Sequence, residues 1–448
     1  MSRRSSESED GSSDLCLLPK RFFPLSLISL AFPLIIRSMS SKLNIFLLAS
    51  LMFIGHAASV LADGIRIGAF SDLSGATADA GRDYAMGIAE AIRYVNDEGG
   101  INGKSIELFQ YDYGYRTTEV QAKYKHLKRL GVVAVLGWHI VDTQALSALV
   151  AKDKIPYLTA LYAADLTDPA RSPYNLYAAT DDSSNARAAL TAWFDEKWPL
   201  KADYGSRRPR VQFVYMLASP NLSAPVKAIK DQAELFGFRM GPDVNISMFA
   251  TDVRQPVEAM HGFKPDLVYH GNTVLSVAAT LKTALDAGLK ADHIVNSWAF
   301  DENLIKLAGK AAEGVIGASG CAFYGVDASL MEVIRMYGVK YHPGVSAAKR
   351  SVRTVQAWAN VLALREALMR ADDAGEISGE AIMKKGFETF DDVDIGLGAA
   401  PLTYTATDHR ASGEVNVYQV ENQKFALMTR IDLKGRWPAK WAQDWVGW

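Results

Sequence analysis

From Ile65 to about residue 300 the sequence alternates short apolar runs with helical patterns, and it does so twice in succession. "GIRIGAF" opens on the alternating run Ile65-Arg66-Ile67-Gly68, whereas "VVAVLG" is continuously apolar, without the every-other-residue alternation of a half-exposed strand. Strands of that kind are buried on both faces, and their alternation with helices leads to parallel sheets covered on both sides. In the first series "RDYAMGIAEAIRYVNDEGG" is a helix stopped by Gly99-Gly100, and the Asn-Gly of "INGKSIELFQYD" turns into a second strand. "TEVQAKYKHLKRLG" and "TQALSALVAKDK" follow as helices and "IPYLTAL" as a strand.

A longer polar loop is expected near "YNLYAATDDSSNARAAL", after which the pattern restarts with the strands "RVQFVYML", "DLVYHGN" and "HIVNSWAF". Each series spans about 120 residues, which fits two lobes better than one large sheet. "SVRTVQAWANVLALREALMRADDAG" is the longest amphipathic helix, and "LTYTATDHRASGEVNVYQVENQKFALM" is expected to form a pair of β-hairpins. In "GRWPAKWAQDWVGW", Trp437, Trp441, Trp445 and Trp448 recur at helical spacing and form one stripe that docks on the body.

The amino end reads differently. Two apolar runs flank "RSMSSK", and from Met39 onward a short segment with Lys42, the run "LNIFLLASLMFIG" and the small-residue site Val60-Leu61-Ala62 make up a secretory signal peptide. Residues 1–62 are therefore assigned to export, with the true start at Met39 and a periplasmic product beginning at Asp63. Cleavage there leaves Cys321 as the one cysteine, so no internal disulfide is expected, and a net charge of -4 in place of the -2 of all 448 residues. Neither value suggests a nucleic-acid partner.

Catalytic signatures are scarce. "GASGC" departs from G-x-S-x-G at Cys321, no HExxH, CxxC or P-loop occurs, and His261 and His270 have no ligand spacing. No catalytic residue, metal or cofactor is expected, and the chain is not expected to be an enzyme. The loop "SDLSGATADAG" offers hydroxyls and backbone N–H groups where a strand hands over to a helix, suited to a polar or anionic ligand or simply to capping that helix.

The stretches "IRIGAFSDLSGATADAGRDYAMGIAEAIRYVNDEGGINGKSIELFQYD", "VVAVLGWHIVDTQALSALVAKDKIPYLTA" and "VEAMHGFKPDLVYHGN" together resemble the periplasmic solute-binding proteins of branched-chain amino-acid ABC transporters, the Leu/Ile/Val-binding family. The resemblance implies a type I periplasmic-binding fold, two doubly wound parallel-sheet lobes joined by a three-crossover hinge. The lobes would be residues 63–182 with 321–400, and residues 183–320 with 401–448, the latter carrying the Trp-rich tail. It implies a small amino-acid-like solute and ABC permease subunits in the inner membrane as partners, or else a ligand-sensing module of the same fold.

By position, the resemblance places the ligand at strand ends: Ser74 and Gly75; Trp138, Asp142 and Thr143; Tyr162 and Ala163; Tyr269 and Asn272; Trp298 and Asp301. Amino-acid binders of the family place a hydroxyl near Asp142, a threonine near Ala163 and an acidic residue near Trp298. Asp142 either caps its helix or repels a carboxylate at contact distance by several kcal/mol. The aromatic set Trp138, Tyr162, Tyr269 and Trp298 suits an aromatic, flat or amide ligand, or a cation, better than a branched-chain amino acid.

Overall fold

The computed structural model describes residues 64–218 and 224–448, so the expected signal peptide and the start at Met39 lie outside the described residues. The first series folds as β1 (Ile65–Ser71), α1 (Ala78–Asp97), β2 (Ile106–Asp112), α2 (Thr117–Arg129), β3 (Ala134–Leu136), α3 (Ile140–Asp153), β4 (Tyr157–Leu158) and β5 (Asn175–Leu176). Its five strands are all parallel, in the order β2-β1-β3-β4-β5.

The second series repeats that winding with α4 (Asp182–Glu196), β6 (Arg210–Tyr215), α5 (Val226–Leu235), β7 (Arg239–Met240), β8 (Val244–Asn245), α6 (Arg254–Phe263), β9 (Leu267–Gly271), α7 (Val274–Asp286), β10 (Asp292–Val295), α8 (Glu302–Ala308) and β11 (Ile316–Ala318). Here β6 takes the place of β1, flanked by β7 and β8 on one side and by β9, β10 and β11 in turn on the other. Val211, Phe213, Tyr215 and Tyr269 pack into one apolar cluster, while the intervening Val214 and Val268 enter another. Both faces of this sheet are thus covered at its centre, which is why β6 and β9 carry no wet face.

The chain passes between the sheets three times. It leaves the first after β5, returns after β11 to lay α9 (Met331–Tyr341) and α10 (Val352–Asp373) against α1, and goes back to the second sheet as β12 (Glu414–Glu421) and β13 (Lys424–Asp432). These last two strands are antiparallel. They form one hairpin rather than the expected pair, because the residues before them make only isolated bridges, Val393 with Leu402 and Thr405 with Asp408.

Three further expectations are corrected. Most of the polar segment read as a loop near residue 182 is helix α4, started by Asp181, whose carboxylate accepts the Ser184 N–H. The first half of α10, Val352 to Leu364, is buried on every side instead of being amphipathic. Its polar residues reach backbone: Gln356 Nε2 donates to the Ala160 carbonyl at 2.7 Å, and Asn360 Nδ2 to that of Thr159 at 3.1 Å. Buried polar groups persist only when bonded in this way, so the positions that look like a water-facing stripe are tethers instead. Finally, the helix in the tail, α11, covers only Pro438–Gln443. Trp445 and Trp448 lie beyond it, yet Trp441 and Trp445 are buried under cations, Arg410 3.7 Å above Trp441 and Arg187 4.2 Å above Trp445.

The junction of α10 with α1 rests on a buried ion cluster. Arg350 clamps Glu90 through both nitrogens, at 3.0 and 2.5 Å, and its Nε lies 3.1 Å from Asp83. His342 also meets Glu90, at 2.6 Å. Removing one partner of a buried pair strands the other's charge. Arg350→Met is expected to cost about 3–5 kcal/mol of unfolding free energy by that rule, measured by urea denaturation; a loss below about 1 kcal/mol would contradict the burial argument.

Candidate functional site

In doubly wound sheets the carboxyl ends of the strands leave a crevice where the winding reverses. A cavity of about 420 Å³ lies there, lined from both sheets: His139 and Ile140 after β3, Tyr162 and Ala163 after β4, Asn272 after β9, and Asn296, Ser297 and Trp298 after β10. Arg353 of α10, Asp182 at the start of α4, Lys227 of α5 and Trp448 complete the wall. Volume and mixed lining are those of a small-molecule site.

Asp142 organises one side of it. Its carboxylate, fully buried, accepts from the Tyr113 hydroxyl (2.7 Å), the Tyr157 hydroxyl (2.5 Å) and the backbone N–H groups of Trp138 (2.7 Å) and His139 (2.8 Å). Burial pushes this carboxyl up and the four donors pull it back. Tyr157 gets there because residue 137 is glycine: a Cβ at that position would lie 2.2 Å from the tyrosine ring. Asp142 therefore reaches back to the start of α3 and ties the ends of β2, β3 and β4 together, and it does not line the cavity.

The neighbouring His139 does line it. Its Nδ1 meets the Tyr115 hydroxyl at 2.5 Å, and its ring lies 4.3 Å from that of Trp298. Burial, helped by Arg353, lowers its pKa to about 3, so the imidazole is neutral at physiological pH. The Arg353 guanidinium carbon lies over Trp298, 4.3 Å from the ring centroid, with Nη2 donating to the Trp298 carbonyl at 2.7 Å and Nη1 to Gln356 at 3.1 Å. Its Nε–H is buried without a partner, and the carboxylate of Asp301 is 3.8 Å away.

Of the eleven positions singled out from sequence, Tyr162, Ala163, Asn272 and Trp298 line this cavity. The other seven do not. Ser74 donates to Asp112 at 2.6 Å and the Gly75 N–H to Asp72 at 2.6 Å, closing their own loop. The Trp138 ring is buried behind Trp298, 5.6 Å from it, and bonds Thr77. Thr143 meets Thr159 at 2.7 Å, Tyr269 packs against Phe213 in the core of the second sheet, and Asp301 caps α8. Arg353, Asp182 and Lys227 lie on helices α10, α4 and α5 and not in strand-end loops. The one sequence signal for Arg353 is an arginine at the start of a long, mostly apolar helical stretch.

Asp182 receives the Ser297 hydroxyl, and its backbone N–H donates to the Tyr162 carbonyl at 2.7 Å. Burial raises its pKa from 3.8 to about 7, with Asp181 adding to the rise and the Ser297 bond and Arg353 opposing it. A raised carboxyl favours the fold fully below the unfolded value of 3.8 and loses that contribution as pH climbs through about 7. Asp182→Asn is therefore expected to gain melting temperature over the parent as pH rises from 4 to 8. A difference independent of pH in thermal denaturation would contradict this.

Comparisons with known proteins follow the same lines. The Leu/Ile/Val-binding protein of Escherichia coli (strain K12) is 23% identical over 343 residues, covering 74% of this chain and 86% of that protein. An ABC transporter substrate binding protein from Aeropyrum pernix superposes with a TM-score of 0.70 at 29% identity, over 83% of this chain and 96% of the other. A branched chain amino acid ABC transporter protein from Thermus thermophilus with bound valine gives 0.73 at 21% identity, over 82% and 96%. The family model described as periplasmic binding protein matches residues 64–424, and with the doubly wound sheets and the cavity between them it establishes that this chain belongs to the periplasmic binding protein family.

Proposed function

We propose that this protein is the periplasmic solute-binding component of an ABC import system, which captures a small solute between its lobes and presents it to permease subunits in the inner membrane. The observation that carries the reading is the cavity itself: its wall comes from strand ends of both sheets, so a solute within it contacts both lobes. Family membership and the substrate-binding relatives support the same role. The apolar segment ahead of Asp63 serves as the export leader in this reading. The lobes divide at residues 182, 320 and 400, so that one lobe comprises 63–182 and 321–400 and the other 183–320 and 401–448.

Relatives named for leucine, isoleucine and valine make an amino-acid-like solute the first class to screen. The positions around Trp298 argue for a wider panel, because an indole stands where amino-acid binders of the family place an acid. No covalent chemistry is required of any residue in the wall; hydrogen bonding, charge and closure suffice. Closure of two lobes on a shared ligand is a hinge motion. Small-angle scattering is expected to show a smaller radius of gyration with saturating ligand than without. An unchanged radius alongside a clear thermal shift would overturn the hinged-trap mechanism.

A further inference from the structure

Two cations, Arg353 and Lys227, and two carboxylates, Asp165 and Asp182, line the cleft. Arg353 is about 4% exposed and, among the described residues, carries a buried Nε–H with no acceptor and meets no carboxylate closer than the 3.8 Å of Asp301. A buried guanidinium with an unused donor is a receptor for a carboxylate, since a charge-assisted bond there replaces one that water would otherwise supply. Lys227, also in the lining, has no carboxylate within ion-pair distance among the described residues; its ammonium stands 3.1 Å above the ring of Trp448. That ring is itself fixed, because Arg187 lies 4.9 Å from it and the Gly447 N–H donates to Thr167 at 3.2 Å. Two cations thus face the cavity, from α10 and from α5.

The acidic side offers less. Asp165 lines the cavity from an exposed position, as Lys227 does, and Asp182 is engaged by Ser297 and stands near enough to Arg353 to feel its charge. Asp301 is outside the lining, spent on the N–H groups of α8. An α-ammonium group entering this cavity would find the exposed Asp165 as the one lining carboxylate that no hydroxyl engages, and would face Arg353 and Lys227. A flat body fares better, because Trp298, His139 and Tyr162 present rings along the wall.

We propose that the solute is an organic anion with a planar unsaturated body and no α-ammonium group, its carboxylate taken by Arg353 and drawn in past Lys227. This deepens the solute-binding reading and rests on it. Thereafter the two cations have different tasks. Arg353 fixes the orientation of the carboxylate by a directed hydrogen bond. Lys227, held on the Trp448 ring, raises the local potential at the entrance and is screened by salt.

The test is calorimetry with benzoate and phenylacetate against benzamide, L-phenylalanine and L-leucine, on the parent protein and on Arg353→Gln, Arg353→Lys and Lys227→Gln. At least one acid is expected to bind while its amide and the amino acids do not. Arg353→Gln should then weaken the acid by about ten- to a hundredfold, the usual value of a charged hydrogen bond. Arg353→Lys should recover part of that loss. Lys227→Gln, at an exposed position where folding is not in question, should weaken binding less and flatten its salt dependence. Binding of an amino acid or of the amide in place of the acids would overturn the anion proposal and leave the solute-binding reading intact. If no compound binds, even in a panel widened to polyamines and further amides, both fall. Equal affinity of the Lys227 and Arg353 variants and the parent for an acid would place that acid elsewhere and overturn the proposal.

Discussion

A carboxylate removed from water must be surrounded by donors, and Asp142 meets that requirement with groups from three different strand ends. Because two of its donors are backbone N–H groups at the start of α3, the carboxylate fixes the path of the chain between β3 and α3. That path determines where His139 and Trp138 sit, and through them where Trp298 packs. Losing Asp142 would free two tyrosine hydroxyls and two amides at once. The wall of the cleft is therefore as rigid as this one set of bonds allows.

The second constraint is α10. It runs at the junction of the two sheets, buried on every side through its first half, and sends Gln356 and Asn360 to the strand-end backbone of β4 while Arg353 reaches the Trp298 carbonyl beyond β10. One helix thus bonds to strand ends of both lobes. In a protein whose proposed work is closure, such a helix couples ligand contact to lobe position, since a ligand that draws on Arg353 draws on the element joining the halves. The buried cluster of Arg350, Glu90 and Asp83 anchors its amino end to α1.

Much of the fold could be read from the sequence because its signals are local. The continuous apolar runs of β1, β3 and β9 and the Gly99-Gly100 stop of α1 are short-range consequences of burial and backbone preference. Helix α4 was missed because "DDSSNARAAL" is polar in composition, yet its Ala and Ser positions pack and its Asp181 caps. The first half of α10 was misread for the converse reason: its polar residues fall at helical spacing, but they bond buried carbonyls rather than water.

For the candidate site, strand ends supply part of the cavity wall, but sequence position does not tell which side chain at each end faces inward. Tyr162 and Trp298 reach the cavity, whereas Tyr269 and Trp138, equally aromatic and equally placed, turn into the core. The sequence by itself determined the winding, two parallel sheets each built from strand and helix in alternation, because that follows from periodicity and from the need to cover both faces of a strand. The inward-facing charges, Arg353 from a helix nearly two hundred residues after β4 and Lys227 from α5, were decided only by tertiary structure. No local pattern encodes which distant helix will close the end of a sheet, and a residue's electrostatic role depends on the partners that burial brings to it and on those it leaves out.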